Sequence, residues 1–171
     1  MAELSNERLE QLQQGLSQLQ ASCKTLLLST LSTDTVPELS YAPYAKSEQG
    51  AFYIFISELA AHTANLQCHP VATVLFIQDE RDSRNLYARE RLSWRCSVRK
   101  VERDTKEYQQ GLALLTQAQG QMVDMLRTLA DFHLFVLVPQ AGSYVVGFGQ
   151  AYEVEPVTGL LMHIDEQRLG R

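Results

Sequence analysis

Few side chains in this sequence have the type and placement to carry chemistry. His62, His69, His133 and His163 are its imidazoles. His62 and His69 stand seven apart, on roughly one helix face, with no third ligand near them in sequence. That spacing argues against a metal site and leaves His62 as a polar contact for a bound phosphate or carboxylate. His133 lies inside the apolar string FHLFVLV, where a core or interface histidine is the first reading. His163 follows Leu161-Met162 and precedes Ile164. There it either caps a final turn or offers a lone pair to a metal. Asp131 stands alone just before the apolar block LADFHLFVLVPQAGSYVVGFGQAYEV, so it either caps a helix end or serves a site. Arg91, Arg95 and Arg99 alternate along one strand face. They could receive an acidic ligand, though charged strand faces are more often solvated or ion-paired.

Composition narrows the classes. The chain has 171 residues, 45% of them hydrophobic, enough for one domain with a real core. A net charge of −5 argues against a nucleic-acid protein. No apolar run is long enough for a membrane span, and the polar, acidic start MAELSNERLEQLQQ is no secretory signal. The expected protein is therefore soluble and cytoplasmic. Cys23, Cys68 and Cys96 are widely spaced and form no CxxC pair, so they imply neither a disulfide framework nor a zinc site.

The elements that must position these groups follow from periodicity. Leu9, Leu12, Leu16 and Leu19 form one stripe and predict a helix over about 5–22. Thr25–Leu31 and Pro37–Ala45 read as strands around a turn at 32–35, with Pro43 marking an edge or bulged strand. Ala51–Ile56 and Val71–Ile77 are apolar on both faces, so both sides of each should be covered. A short helix over 58–68 ends near His69-Pro70. Arg91–Val101 alternates strictly, as a half-buried strand does. Asp104 with Glu107 fits a capping box and starts a long helix over about 104–128, burying Tyr108, Leu112, Leu115, Met122, Leu126 and Leu129. Gly111 and Gly120 weaken that helix by roughly 1 kcal/mol each. Phe132–Val138 and Ser143–Phe148 then read as a hairpin around Pro139-Gln140-Ala141-Gly142, and Gly147 and Gly149 mark a bulge or a close ligand approach. Residues 155–171 form a tail. The sum is a mainly β (α+β) chain of one domain, 1–171, with six or seven strands and three helices: antiparallel strands with helices outside suggest a small closed or split barrel, and the two strands apolar on both faces suggest a homodimer.

Several strings, in this order and spacing, resemble the flavin-type split-barrel superfamily of pyridoxamine 5′-phosphate oxidase, and within it the heme-utilisation HutZ/HugZ family. They are LSYAPYA (39–45), AAHTANL (60–66), VERD (101–104), DFHLF (131–135) and GFGQAY (147–152). The resemblance implies a homodimer of six-stranded antiparallel split barrels with peripheral helices and with ligands at the subunit interface. Members that hold FMN grip its phosphate with basic residues at positions that here are Ser40 and His62. A neutral hydroxyl and a mostly neutral imidazole are poor substitutes. In the heme branch a C-terminal histidine binds the iron and is hydrogen-bonded to an acid of the partner subunit. Asp131 matches that acid, whose role would be to fix the ligand's tautomer. The family's Gly-His-Arg string is replaced here by DEQRLGR, with Gln167 and Arg168. Either His163 substitutes as the ligand through a loop shift, with His133 a fallback, or the chain binds heme differently or not at all.

The resemblance thus implies heme bound as ligand or substrate, reduced by an external electron donor and opened by dioxygen to release iron. Tyr41, Tyr44, Phe148 and Tyr152 would line an apolar slot, with Arg91, Arg95 and His62 as polar contacts. No nucleic acid and no membrane takes part. An FMN-dependent oxidoreductase is the alternative and a non-catalytic heme carrier the third reading.

Overall fold

A computed structural model describes residues 5–164. Eight strands form one sheet in the order β3-β2-β1-β4-β5-β6-β7-β8, and a further pairing of β3 with β6 closes the first six into an antiparallel barrel. The strands are β1 (Thr25–Leu31), β2 (Pro37–Lys46), β3 (Phe52–Ser57), β4 (Val71–Ile77), β5 (Arg91–Val101), β6 (Phe132–Gly147), β7 (Gln150–Val154) and β8 (Leu161–His163). Four α-helices accompany them: α1 (Asn6–Ser22), α2 (Ala61–Cys68), α3 (Lys106–Gln119) and α4 (Met122–Leu126). The described residues divide into two compact units, a larger one of 24–74 and 95–140 and a smaller one of 5–23, 75–94 and 141–164. Every strand of the closed ring has residues in the larger unit.

In the larger unit, β3 is buried on both faces, as its unbroken apolarity requires. Tyr53 and Phe55 pack with Tyr108, Leu112 and Leu115, so α3 is the element that covers its outer side. β5 keeps the expected alternation: Leu92, Trp94, Cys96 and Val98 are buried between exposed or half-buried polar residues. β4 departs from expectation. Ala72, Val74 and Phe76 are buried but Val71 is 49% exposed, so this strand alternates despite its apolar sequence. Pro43 is the last residue of β2 paired to β1, opposite Thr25. It precedes Tyr44–Lys46, the residues paired to β3, so the missing N–H of proline is tolerated where β2 has a partner on one side.

The expected hairpin at 139–142 is absent: β6 runs unbroken through it, and the reversal comes at Phe148-Gly149, where Gly149 adopts φ 64°. Two physical reasons explain the misreading. Pro139 falls after Leu137, the last residue paired to β3, and before Gly142, the first paired to β7. The change of partner leaves Pro139 opposite no residue of β3 or β7, so its missing donor removes no bond to either strand. Gly142 is there for space, since a Cβ would lie 2.5 Å from the Trp94 ring.

The long helix is likewise two. Gly120, at φ 83°, ends α3 by a backbone conformation that L-residues resist. α4 restarts with a new phase that buries Val123 and leaves Met122 and Leu129 exposed. The N-cap of α3 is Thr105, accepting from the Tyr108 N–H at 3.1 Å. Glu107 turns instead to Arg99.

Candidate functional site

In the larger unit, α2 starts after an extended Ala60 and stops at Cys68, because His69 precedes Pro70. Its inner face is polar. Asn65 donates to Thr30 Oγ1 at 3.0 Å and to Glu38 at 2.8 Å, and Thr63 Oγ1 donates to the Ser57 carbonyl at 2.6 Å. His62 Nδ1 lies 2.9 Å from Ser40 Oγ, and Ser40 gives its own proton to the Leu28 carbonyl. The hydroxyl therefore accepts from Nδ1–H, and Nε2 keeps a bare lone pair. That atom is buried and has no partner among the described residues. Burial holds the His62 pKa below the ordinary imidazole value. The two positions that would grip a flavin phosphate are thus bonded to each other and neutral.

Asp131 immediately precedes β6 and is half-buried. Ser57, at the end of β3, donates its hydroxyl to Oδ2 across 2.6 Å, and the Glu58 N–H donates to the Asp131 carbonyl at 2.8 Å. Oδ1 has no partner among the described residues. The flanking carbonyls of Leu129, Ala130 and Phe132 all face Arg103 Nη2, at 2.9, 3.1 and 2.9 Å. Next to them, His133 Nε2 meets Glu58 Oε1 at 2.5 Å, with the imidazole mostly covered and the acid mostly exposed. A cavity of about 350 Å³ is lined there by Arg103, Thr105, Tyr108 and His133 among others.

The remaining expected contacts of this unit divide. Tyr41 is 65% exposed, whereas Tyr44 is buried edge-on against Phe52, with ring centroids 5.8 Å apart. Arg95 is exposed. Arg99 forms a two-pronged pair with Glu107, at 2.7 and 2.9 Å, so the ion-paired reading holds for this rung.

In the smaller unit, β8 places His163 beside Tyr152, ring centroids 5.3 Å apart in an edge-on contact. His163 Nε2 lies 2.9 Å from the Gly149 carbonyl. A carbonyl only accepts, so Nε2 carries the proton and Nδ1 the lone pair. Tyr152 is buried and Phe148, at the β6–β7 reversal, is 69% exposed. Arg91 is half-buried and donates to the Arg89 carbonyl at 3.1 Å. Gln167 and Arg168 lie outside the described residues.

No three His, Cys, Asp or Glu side chains gather into a metal-binding group among the described residues. Cys96 is buried, which pushes its thiol up to about 12. No helix of the described residues is long and apolar enough to cross a membrane. Sequence reasoning overlooked Ser57, Glu58 and Arg103. Arg103 sits within VERD, so a signal for it existed; Ser57 merely ends an apolar run and carried none.

Comparison with known proteins agrees with this architecture. A family model described as pyridoxamine 5′-phosphate oxidase matches residues 11–146. Over 153 residues the chain is 36% identical to the heme oxygenase HutZ of Vibrio cholerae serotype O1, spanning 89% of this chain and 86% of that protein. The crystal structure of HutZ from Vibrio cholerae, described as a heme storage protein, superposes with a TM-score of 0.75 at 32% identity, covering 80% of this chain and 97% of the other. Campylobacter jejuni ChuZ superposes with a TM-score of 0.80 at 29% identity, covering 91% and 63%.

Proposed function

The chain belongs to the HutZ/HugZ family of the pyridoxamine 5′-phosphate oxidase-like superfamily, and on that premise we propose that it binds heme as a substrate between two copies of itself. The macrocycle is opened with an external electron donor and dioxygen, and iron is released. The observation that carries this reading is Asp131, a half-buried carboxylate with Oδ2 fixed by Ser57 and Oδ1 free to accept a further N–H. An acid so held orients an imidazole ligand and strengthens its donation to iron.

His163 is the proposed iron ligand. Without heme its Nε2–H rests on the Gly149 carbonyl; with Nδ1 given to iron, that N–H would exchange the carbonyl for the free Oδ1 of Asp131 in the second copy. The second copy is supported by an apolar patch on one face of β1 and β2. Leu27 pairs opposite Tyr41, and Leu39 lies two residues along from Tyr41; these side chains are 44%, 65% and 83% exposed. Such patches mark interaction surfaces. Arg91 and Arg95, on one face of β5, are the proposed contacts for the carboxylates of the macrocycle, and Phe148 adds apolar surface at the β6–β7 turn. In this reading the protein works in a soluble, cytoplasmic setting that serves iron acquisition.

The flavin alternative fits less well. Ser40 and His62 satisfy each other at 2.9 Å without a fixed positive charge, whereas a dianionic phosphate calls for one. The test is a hemin titration followed by absorbance, then incubation with ascorbate under air. A saturable Soret band, weakened in His163→Ala and shifted in Asp131→Asn, is expected. Decay of the band with iron captured by a chelator marks degradation, and a persistent band marks a carrier. Failure of hemin to give a saturable band, or tight FMN uptake instead, overturns the reading.

A further inference from the structure

Asp131 is held more completely than a surface acid needs to be. Its carbonyl accepts from the Glu58 N–H at 2.8 Å and its Oδ2 from Ser57 at 2.6 Å. The three neighbouring carbonyls, of Leu129, Ala130 and Phe132, converge on the single Nη2 of Arg103 at 2.9, 3.1 and 2.9 Å. Four successive carbonyls, 129 to 132, therefore all have donors, three of them from one side chain. Among the described residues Arg103 has no acidic partner within ion-pair distance, so its guanidinium serves the main chain. Hydrogen bonds from a charged donor are stronger than neutral ones. All three contacts are made by one nitrogen, whose two N–H groups the carbonyls share.

We infer that Arg103 is a positioning residue: its guanidinium gathers the 129–132 main chain and thereby sets where Asp131 presents its free Oδ1. The inference rests on the reading of Asp131 as the acid of the heme site. Arg103 itself touches no ligand in this scheme. It acts through the loop, much as outer groups orient a metal ligand.

Two measurements test it, one of them independent of heme. In the ligand-free protein, hydrogen exchange of the Glu58 amide reports whether the Asp131 carbonyl stays in place. Loss of the charged hydrogen bonds in Arg103→Met should speed that exchange about tenfold or more, while the Leu28 amide in β1 is unchanged. Arg103→Lys, which keeps the charge on a shorter side chain, should fall between, and it replaces the first variant if that one fails to fold. In the hemin complex, Arg103→Met should shift the visible spectrum in the direction of Asp131→Asn. It should add nothing in the Asp131→Asn background, since residues acting as one unit are not additive. Unchanged Glu58 exchange in both Arg103 variants overturns the inference. So does a spectral shift that adds fully to that of Asp131→Asn. If Asp131→Asn leaves the hemin spectrum as in wild type, the heme role of Asp131 fails, and the exchange arm still decides whether Arg103 holds the loop.

Discussion

Ser57 Oγ and Asp131 Oδ2 lie 2.6 Å apart, joining the end of β3 to the start of β6 where Ser57 pairs with Phe132. The bond makes the two carboxylate oxygens unequal: one is committed and one is free. Removing the hydroxyl in Ser57→Ala should cost about 1 kcal/mol of stability, as loss of a part-buried hydrogen bond does. In the hemin complex it should broaden or shift the spectrum toward that of Asp131→Asn. Denaturant midpoints and absorbance spectra of the two variants check both parts, and an unchanged hemin spectrum would separate Ser57 from the site.

The pairing of Ser40 with His62 makes a pH prediction. Burial lowers the folded pKa of His62, below an unfolded value of about 6.5. A histidine so shifted contributes stability above its unfolded pKa and loses that stability as pH falls through the folded one. Protonation also places a charged N–H on Nε2, which is buried without a partner among the described residues. The stability advantage of wild type over His62→Gln should therefore be full at neutral pH and shrink below about pH 6.5. Melting temperatures of both proteins across that range decide it; a constant difference sinks the claim.

Gly111 on α3 faces β3 and β6 so closely that a Cβ would lie 2.8 Å from both Leu134 Cδ2 and Tyr53 Cδ1. Leu134 is fully buried, and the Tyr53 ring is held by its hydroxyl on Glu107. Overpacking of this kind costs about 1–3 kcal/mol, against about 1 kcal/mol that Ala contributes over Gly to helix propensity. Gly111→Ala should be destabilising by about 1 kcal/mol, read as a lower denaturant midpoint at constant slope. A gain in stability would show that α3 has room to retreat.

Leu39 and Tyr41 carry the proposed pairing of two copies. In a monomer, Leu39→Glu at an 83% exposed site should change stability by no more than about 0.5 kcal/mol. In a dimer buried over that face it should dissociate the copies and weaken hemin uptake together. Sedimentation velocity at several concentrations measures the first and a hemin titration the second. A wild-type monomer at all concentrations contradicts the shared site.

Local pattern carried far. The alternation from Arg91 to Arg99, the leucine stripe of α1 and the double-sided burial of β3 each follow from one periodicity and one chain segment, and each is found in the structure. The neutrality of Ser40 and His62 could also be read from residue type, since neither carries fixed charge. The points that misled were those where a residue answers to a distant neighbour. Gly142 resembles a turn residue until Trp94 lies over it, and Pro139 resembles a break until the partner of β6 changes around it.

The sequence by itself determined where most strands and helices lie and which groups are candidates, because hydrophobic period and side-chain chemistry are properties of short segments. Tertiary structure alone decided which of those groups are committed and to whom. It joined Ser57 to Asp131 and turned Arg103 onto three carbonyls. It also gave the His62 proton to Ser40 and the His163 proton to Gly149. A hydrogen bond is set by distance and direction in space, and residues 74 apart in sequence, as Ser57 and Asp131 are, bear no trace of it until the chain has closed.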